Sequence, residues 1–224
     1  MTMMTTTITD RRPLLNLLAW LSPAFPTGAF AYSHGLEWAI EAGDIKDGDG
    51  LSQWLNEVLT RGSGRSDVIL VRHAHRAFAD PVALRGIVAL ATACAPARER
   101  REEALNQGRA FQLAVAPWTT TAVPEGAPYS VAVGAAAGER GIPEDDTAIA
   151  YLQAFATNLI SAAVRLVPLG QTAGLRVLAA LEPVILGTAD ETRSAELDDI
   201  GGCAFRSDVA AMRHETQYTR LFRS

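Results

Sequence analysis

Tyr129-Ser130-Val131-Ala132-Val133-Gly134-Ala135-Ala136-Ala137 is the stretch on which the fold class turns. Tyr129, Val131 and Val133 alternate with small residues, which is the period of a strand. Gly134 to Ala137 then continue the segment without a turn. A strand has no reason to run on in this way, so the stretch reads as a helix of small residues. With that reading the chain contains no convincing strand, repeat or heptad array.

C-terminal to this stretch, Gly141-Ile142-Pro143 separates it from the strongest helix in the chain. Glu144, Asp145 and Asp146 suit the positive end of its dipole, and Arg165 suits the negative end. Ile149, Leu152, Ala156, Leu159, Ile160, Ala163 and Val167 form its apolar side, and Pro168-Leu169-Gly170 stops it. The next helix carries Leu175, Leu178, Leu181 and Ile185, with Pro183 expected to kink or shorten it. A short helix is expected around Glu191 to Ile200, then a Gly201-Gly202 hinge and a last segment from Ser207.

N-terminal to the stretch, Pro117 to Pro128 is a connector. Before it come a charged helix from Arg98, a helix opened by Asp80-Pro81, and one starting at Ser66 or Asp67. Leu51, Trp54, Leu55, Val58 and Leu59 follow the i, i+3, i+4, i+7, i+8 pattern after an Asp47 or Asp49 cap. A first short helix follows Pro13, a favourable first-turn residue. The whole reads as an all-α, single-domain bundle of nine to eleven helices. Residues 1–12 read as a disordered Thr-rich tail, 13–206 as the helical domain and 207–224 as a C-terminal docking segment of that domain.

The chain has 224 residues, of which 48% are hydrophobic, and a formal net charge of -5. That is ample for a core and argues against nucleic acid as a partner, because phosphate binding requires clustered basic residues. Lys46 is the only lysine; the other basic residues are arginines, which suit bidentate contacts to carboxylates. Cys94 and Cys203 are far apart and lack C-x-x-C spacing, so a reducing compartment and a cytoplasmic location are expected. No run of eighteen apolar residues occurs, and no membrane span is expected.

The segment richest in chemistry is Ser22 to Glu37. Pro23 and Pro26 fix φ and withhold two N–H donors, giving a rigid loop. Thr27 or Gly28 then caps a helix expected from about Ala29 to Ala42, with Gly43 as its left-handed stop. On such a helix Phe30, His34, Glu37 and Glu41 share one side. The end of the chain is a second unusual segment. Tyr218, Leu221 and Phe222 stand among Arg213, Arg220 and Arg223, where termini are normally frayed and polar. Tyrosine with arginine is also an interface composition. Docking is therefore expected, with Arg220 or Arg223 reaching Tyr32 or the loop carbonyls near Phe25.

No P-loop, G-x-G-x-x-G, G-x-S-x-G or H-E-x-x-H motif is present. His73 and His75 are two apart on a helix and point in different directions. Glu102 and Glu103 with Arg98, Arg100, Arg101 and Arg109 form a charged helix face, read as a solvated face of i, i+4 ion pairs rather than a partner site. His34 and Glu37 could be two metal ligands with His214 or a cysteine such as Cys203 as a third, the basis of an alternative reading as a small helical metalloenzyme. No second cluster of titratable residues is evident to complete a catalytic site, so a shaped binding surface is expected: Phe30, Tyr32, His34, Glu37, Tyr218, Arg220, Phe222 and Arg223.

The run from Leu21 to Glu37 resembles the N-terminal signature of the urease accessory proteins of the F type. Arg101-Glu102-Glu103 through Gly108-Arg109-Ala110-Phe111 resembles their central helix. Ser161-Ala162-Ala163-Val164-Arg165-Leu166-Val167-Pro168-Leu169-Gly170-Gln171 resembles their third signature. Ser207-Asp208 with His214 to Ser224 resembles their terminal one. Thr27 and His34 stand where the family more often has Val and Gln, and Leu175 where it often has Gln. The resemblance implies an all-α, non-enzymatic, dimerising protein. It would bridge a D-type (also called H-type) accessory protein and a nickel-carrying G-type GTPase, and dock on apo-urease to support lysine carbamylation and nickel insertion. It implies no cofactor of the chain's own: nickel would sit on the GTPase and urease.

Overall fold

The computed structural model describes residues 10–120 and 123–224. Among the described residues it holds eleven α-helices, three 3-10 turns and no strand. The central helix is the small-residue stretch that begins at Tyr129. In this helix, Tyr129–Glu139, every residue from Ser130 to Gly138 is buried. A helix buried on all sides needs no amphipathic stripe. Its small residues bring it to backbone contact with its neighbours, Ser63–Arg76 and Arg98–Val115. A Cβ on Gly134 would lie 2.2 Å from the Val71 carbonyl oxygen, and one on Gly138 2.3 Å from that of His75.

In chain order the helices are α1 (Arg12–Trp20), α2 (Leu36–Glu41), α3 (Gly48–Arg61), α4 (Ser63–Arg76), α5 (Pro81–Ala93) and α6 (Arg98–Val115). They continue as α7 (Tyr129–Glu139), α8 (Glu144–Leu166), α9 (Gly170–Ala180), α10 (Glu182–Glu191) and α11 (Phe205–His214). The largest core cluster joins α8 to α3, α9 and α10 through Leu55, Leu59, Leu152, Leu159, Leu181 and Ile185. A second joins Trp20 and Phe111 to α7. The α8 helix and the stretch Gly170–Ser194 have the length and mean hydropathy of membrane spans. In α8 the apolar side forms the bundle core. The second stretch is interrupted at Leu181, between α9 and α10.

The expected end signals operate. Asp47 Oδ1 accepts the Gly50 N–H at 2.9 Å to start α3. Asp80 Oδ1 accepts from Val82 and Ala83 at 2.9 and 3.0 Å to start α5, with Pro81 in its first turn. Gly43, at φ 79°, ends the segment of α2 in the left-handed conformation. His73 and His75 serve different neighbours, bonding the carbonyls of Ala195 and Ile142 at 2.9 and 2.7 Å. Arg72, fully buried, ties α4 to Glu144, Asp145 and the Ala189 carbonyl at 2.6, 2.9 and 2.8 Å.

Three expectations need correction. The helix expected from Ala29 to Ala42 is two pieces, a 3-10 turn at Ala29–Ala31 and α2. His34 at φ 58° and Gly35 at φ 76° lie between them, and two left-handed residues in a row cannot continue a right-handed helix. Gly35 is fixed by close approach as well: a Cβ there would lie 2.5 Å from the Ala211 nitrogen of α11. The helix expected to carry Leu175 to Ile185 is indeed shortened beside Pro183: α9 stops at Ala180, and the proline stands in the first turn of α10, where its missing N–H costs nothing. The helix expected over residues 191–200 is two 3-10 turns, the second held by a Glu196–Asp199 capping box. Finally, α1 starts at Arg12, inside the expected tail; residues 1–9 lie outside the described residues.

Candidate functional site

After α11 the chain turns at Thr216 and Gln217 and runs back across α2 and α6. Three buried glutamates hold it. Glu37, on α2, accepts the Leu221 N–H at Oε1 (2.7 Å) and the Phe222 N–H at Oε2 (2.9 Å). Glu99, on α6, accepts Arg220 Nη1 at 2.7 Å. Glu103, one turn on, accepts the Ser224 hydroxyl at 2.6 Å. Main-chain bonds complete the dock. The Ser33 amide and hydroxyl donate to the Ser224 carbonyl oxygen at 2.6 and 2.5 Å, and the Arg223 N–H donates to the Ala31 carbonyl at 2.8 Å. Phe222 is buried beneath the Arg165 guanidinium, which lies 4.4 Å from its ring centre. The same arginine donates to the Phe30 carbonyl at 2.8 Å, fixing the loop above α8.

Two histidines tie the glutamates together. His214 has no exposed surface; its Nδ1 faces Glu99 Oε2 at 2.7 Å and its Nε2 faces Glu37 Oε2 at 3.3 Å. His34 Nε2 pairs with Glu103 Oε1 at 2.7 Å. Glu103 also receives Gln107 Nε2 at 2.9 Å and the Arg100 guanidinium. Burial pushes the Glu103 carboxyl up, but Arg100, His34 and the Ser224 hydroxyl outweigh it and hold the group at about 2. Burial, with Arg100 nearby, lowers the pKa of His34 against the pull of Glu103, which favours the neutral ring.

Beside this dock a cleft of about 890 Å³ runs between α1 and the outer side of α8. His34, Asp67, Arg100, Glu103 and Gln107 contribute polar lining, with the Tyr129 and Tyr151 rings beside them. Tyr151 Oη donates to Asp67 Oδ2 at 3.0 Å. Burial raises the Asp67 carboxyl to about 6, against the attraction of Arg100 and the bond from Tyr151. Burial likewise raises both tyrosine hydroxyls above their ordinary value.

The two unusual segments do meet, though not as the sequence suggested. Phe30, His34, Glu37 and Glu41 are not one helical side, because the break at Tyr32–Gly35 separates the first two from α2. Phe30 is exposed, Tyr32, His34 and Glu37 are buried, and Phe222 packs inward while Tyr218 and Arg223 remain outside. Arg220 reaches neither Tyr32 nor the carbonyls near Phe25; it pairs with Glu99, because α6 places a buried carboxylate there. Arg223 bonds Ala31 through its main chain. Arg98 to Glu103 is not a solvated face: Glu99, Arg100 and Glu103 are buried. A second titratable cluster exists after all, and supplies the partners that His34 and Glu37 lacked in sequence. The signal was present in α6, where Glu103 and Gln107 step in phase with Phe111 and Val115 along the buried side.

His34, Glu37 and His214 do not converge as a ligand set. His34 answers to Glu103, and both nitrogens of His214 answer to carboxylates that also bind the tail. Among the described residues no group of three His, Cys, Asp or Glu side chains has the geometry to hold a metal ion. Cys94 and Cys203 are free and exposed.

The family model described as UreF matches residues 45–182. The chain is 52% identical over 221 residues to "Urease accessory protein UreF" of Xanthobacter autotrophicus, covering 94% of this chain and 91% of that one. The protein of the same name from Bradyrhizobium sp. (strain BTAi1 / ATCC BAA-1182) is 50% identical over 224 residues, covering 96% and 93%. That from Cereibacter sphaeroides (strain ATCC 17029) is 52% identical over 211 residues, covering 94% and 98%. The family model spans more than half of the chain and the relatives almost all of it, and the chain belongs to the UreF family of urease accessory proteins.

Proposed function

We propose that the chain is a non-enzymatic urease maturation factor. It bridges a D-type (H-type) accessory protein and the G-type GTPase, regulates GTP hydrolysis, and supports nickel insertion into apo-urease. It works in the cytoplasm, as a homodimer within the complex. Nickel is cargo held by the partner proteins. Family membership supplies the pathway. The observation that carries the role is the docked tail: residues 220–224 are seated on Glu37, Glu99 and Glu103, so the buried titratable groups bind one another and the tail. What remains outward is a contact surface: Tyr218, Leu221 and Phe30 are exposed apolar side chains around the dock, and Arg223 is exposed as well.

Co-purification with the D-type protein tests this reading. The full chain is expected to form the complex and activate urease. Deleting residues 213–224, or combining Arg220→Ala with Arg223→Ala, is expected to abolish both. Retention of complex and activity by either variant defeats the role assigned to the tail. The metalloenzyme alternative predicts stoichiometric, tightly held nickel or zinc with intrinsic turnover in the dialysed chain alone. Finding both would overturn the scaffold reading.

A further inference from the structure

We propose that the cleft between α1 and α8 is a receptor for an amphipathic helix of a partner protein, and that this helix presents a lysine or arginine to the cleft floor.

The walls set the shape. Along the cleft α8 offers Ala150, Ala154, Thr157 and Ser161 at successive spacings of four, three and four. Small side chains in that phase let another helix approach to about 8–10 Å between axes. The lining of α8 runs from Asp146 to Ser161, about 23 Å at the helical rise, or four turns of a guest. The opposite wall is apolar. Leu14 and Leu18 of α1 are 56% and 64% exposed, and Phe30 beyond them 69%. Three large apolar side chains beside a lengthwise trough are what a helix in a groove requires.

The floor sets the chemistry. His34 is fully buried apart from a small edge, and its Nε2 is bonded to Glu103. Its Nδ1 is buried with no partner at all. The residue is also held at φ 58°, the only described non-glycine residue in the left-handed region. A strained residue with an orphaned acceptor needs a donor from outside. The cleft's carboxylates, Asp67, Glu103 and Asp146, outnumber its single guanidinium, Arg100. Glu103 already accepts four donors, whereas Asp146 stands exposed at one end. A cation carried on the guest helix answers both the charge and the missing donor. The proposal needs the maturation reading only for the guest's identity.

The first test uses a designed probe. A fluorescein-labelled, helix-stapled 15-residue peptide carries leucine and alanine on one face with a central arginine. It is titrated by anisotropy against the full chain. Saturable binding is expected, at least tenfold weaker when the arginine becomes glutamate. It should also be at least tenfold weaker against Ala154→Phe or Thr157→Leu, which fill the trough; circular dichroism identifies any variant that fails to fold. No binding, or equal binding by filled and open chains, overturns the proposal. The second test places a photo-reactive benzoylphenylalanine at Leu14, an exposed residue on the α1 rim that leaves the trough open, in the complex with the D-type protein, GTPase and apo-urease. An adduct in a basic helix of one of those proteins is expected. An adduct between two copies of this chain, or none in an assembled complex, overturns the guest assigned here. Failure of the complex to assemble counts against the maturation reading instead, and the peptide result still decides the cleft.

Discussion

Glu37→Gln removes a charge, changes almost no volume and strikes the tail where it is held most tightly. In the native chain Oε1 receives the Leu221 N–H at 2.7 Å, and Oε2 receives the Phe222 N–H at 2.9 Å while facing His214 Nε2 at 3.3 Å. A glutamine keeps one acceptor. Whichever way its amide is turned, an NH₂ group then faces a main-chain N–H, donor against donor. One charge-assisted bond lost is worth about 1.5–3 kcal/mol. Leaving a buried main-chain N–H without an acceptor costs about 1–3 kcal/mol. These overlap, so about 3 kcal/mol is expected, a factor of about 10² in the open population of the tail. Native-state amide exchange reads this directly. The Leu221 and Phe222 amides should exchange about 10²-fold faster in the variant. Core amides of α8, such as Leu152 and Ala156, should move less than tenfold. A folded Glu37→Gln chain with unchanged exchange at Leu221 and Phe222 refutes the clasp. Equal acceleration of tail and core refutes its local character, since Glu37 would then support the whole bundle.

Three further outcomes are expected. Gly134→Val puts a branched side chain where even Cβ would sit 2.2 Å from the Val71 carbonyl; overpacking of about 3 kcal/mol lowers Tm by about 6–12 °C, whereas Gly86→Ala, with open space around it on α5, should hold or raise Tm. Asp67 titrates at about 6 in the folded chain against an ordinary 3.8. The folded state therefore binds the extra proton, and its contribution is present below 3.8 and lost as pH rises through 6. Asp67→Asn, which keeps an acceptor for Tyr151, should remove that loss, about 2 kcal/mol in the unfolding free energy from urea titrations compared at pH 4 and 7. Glu103 has the opposite sign: held at about 2 against 4.5, it stabilises above 4.5 and loses about 3 kcal/mol as pH falls toward 2, an acid limb that Glu103→Gln should flatten.

Most of the fold was legible because its determinants are local. Asp47, Asp80 and Gly43 act on the turn that contains them, and Pro143 and Pro168 bound α8 from outside. The helix over residues 129–137 was readable because a run of small residues without a turn has few other uses. The break at Tyr32–Gly35 was not readable, because its cause lies about 175 residues away, where α11 presses its backbone against Gly35. The fate of Pro183 turned on a single residue of offset: proline is tolerated in a first turn and not in an interior, and periodicity does not say which of two abutting helices owns it.

The site was half legible for a related reason. Its two ends, the Pro-Pro-Gly loop and the aromatic-basic tail, announce themselves by composition. Its middle, Glu99, Arg100 and Glu103, lies in a helix whose charges look like solvent-facing ion pairs. Charge alone does not separate a surface face from a buried polar one; phase does. Glu103 and Gln107 share the side that buries Phe111 and Val115, so four-residue steps from a known core position place a carboxylate inside the protein. A buried carboxylate must find donors, and the nearest unclaimed donors in this chain are the main-chain amides of a segment with no secondary structure of its own. The tail's order thus follows from the polarity of α6 and α2. A change at Glu37 or Glu99 should therefore release residues 220–224 while leaving the helices that carry those glutamates in place.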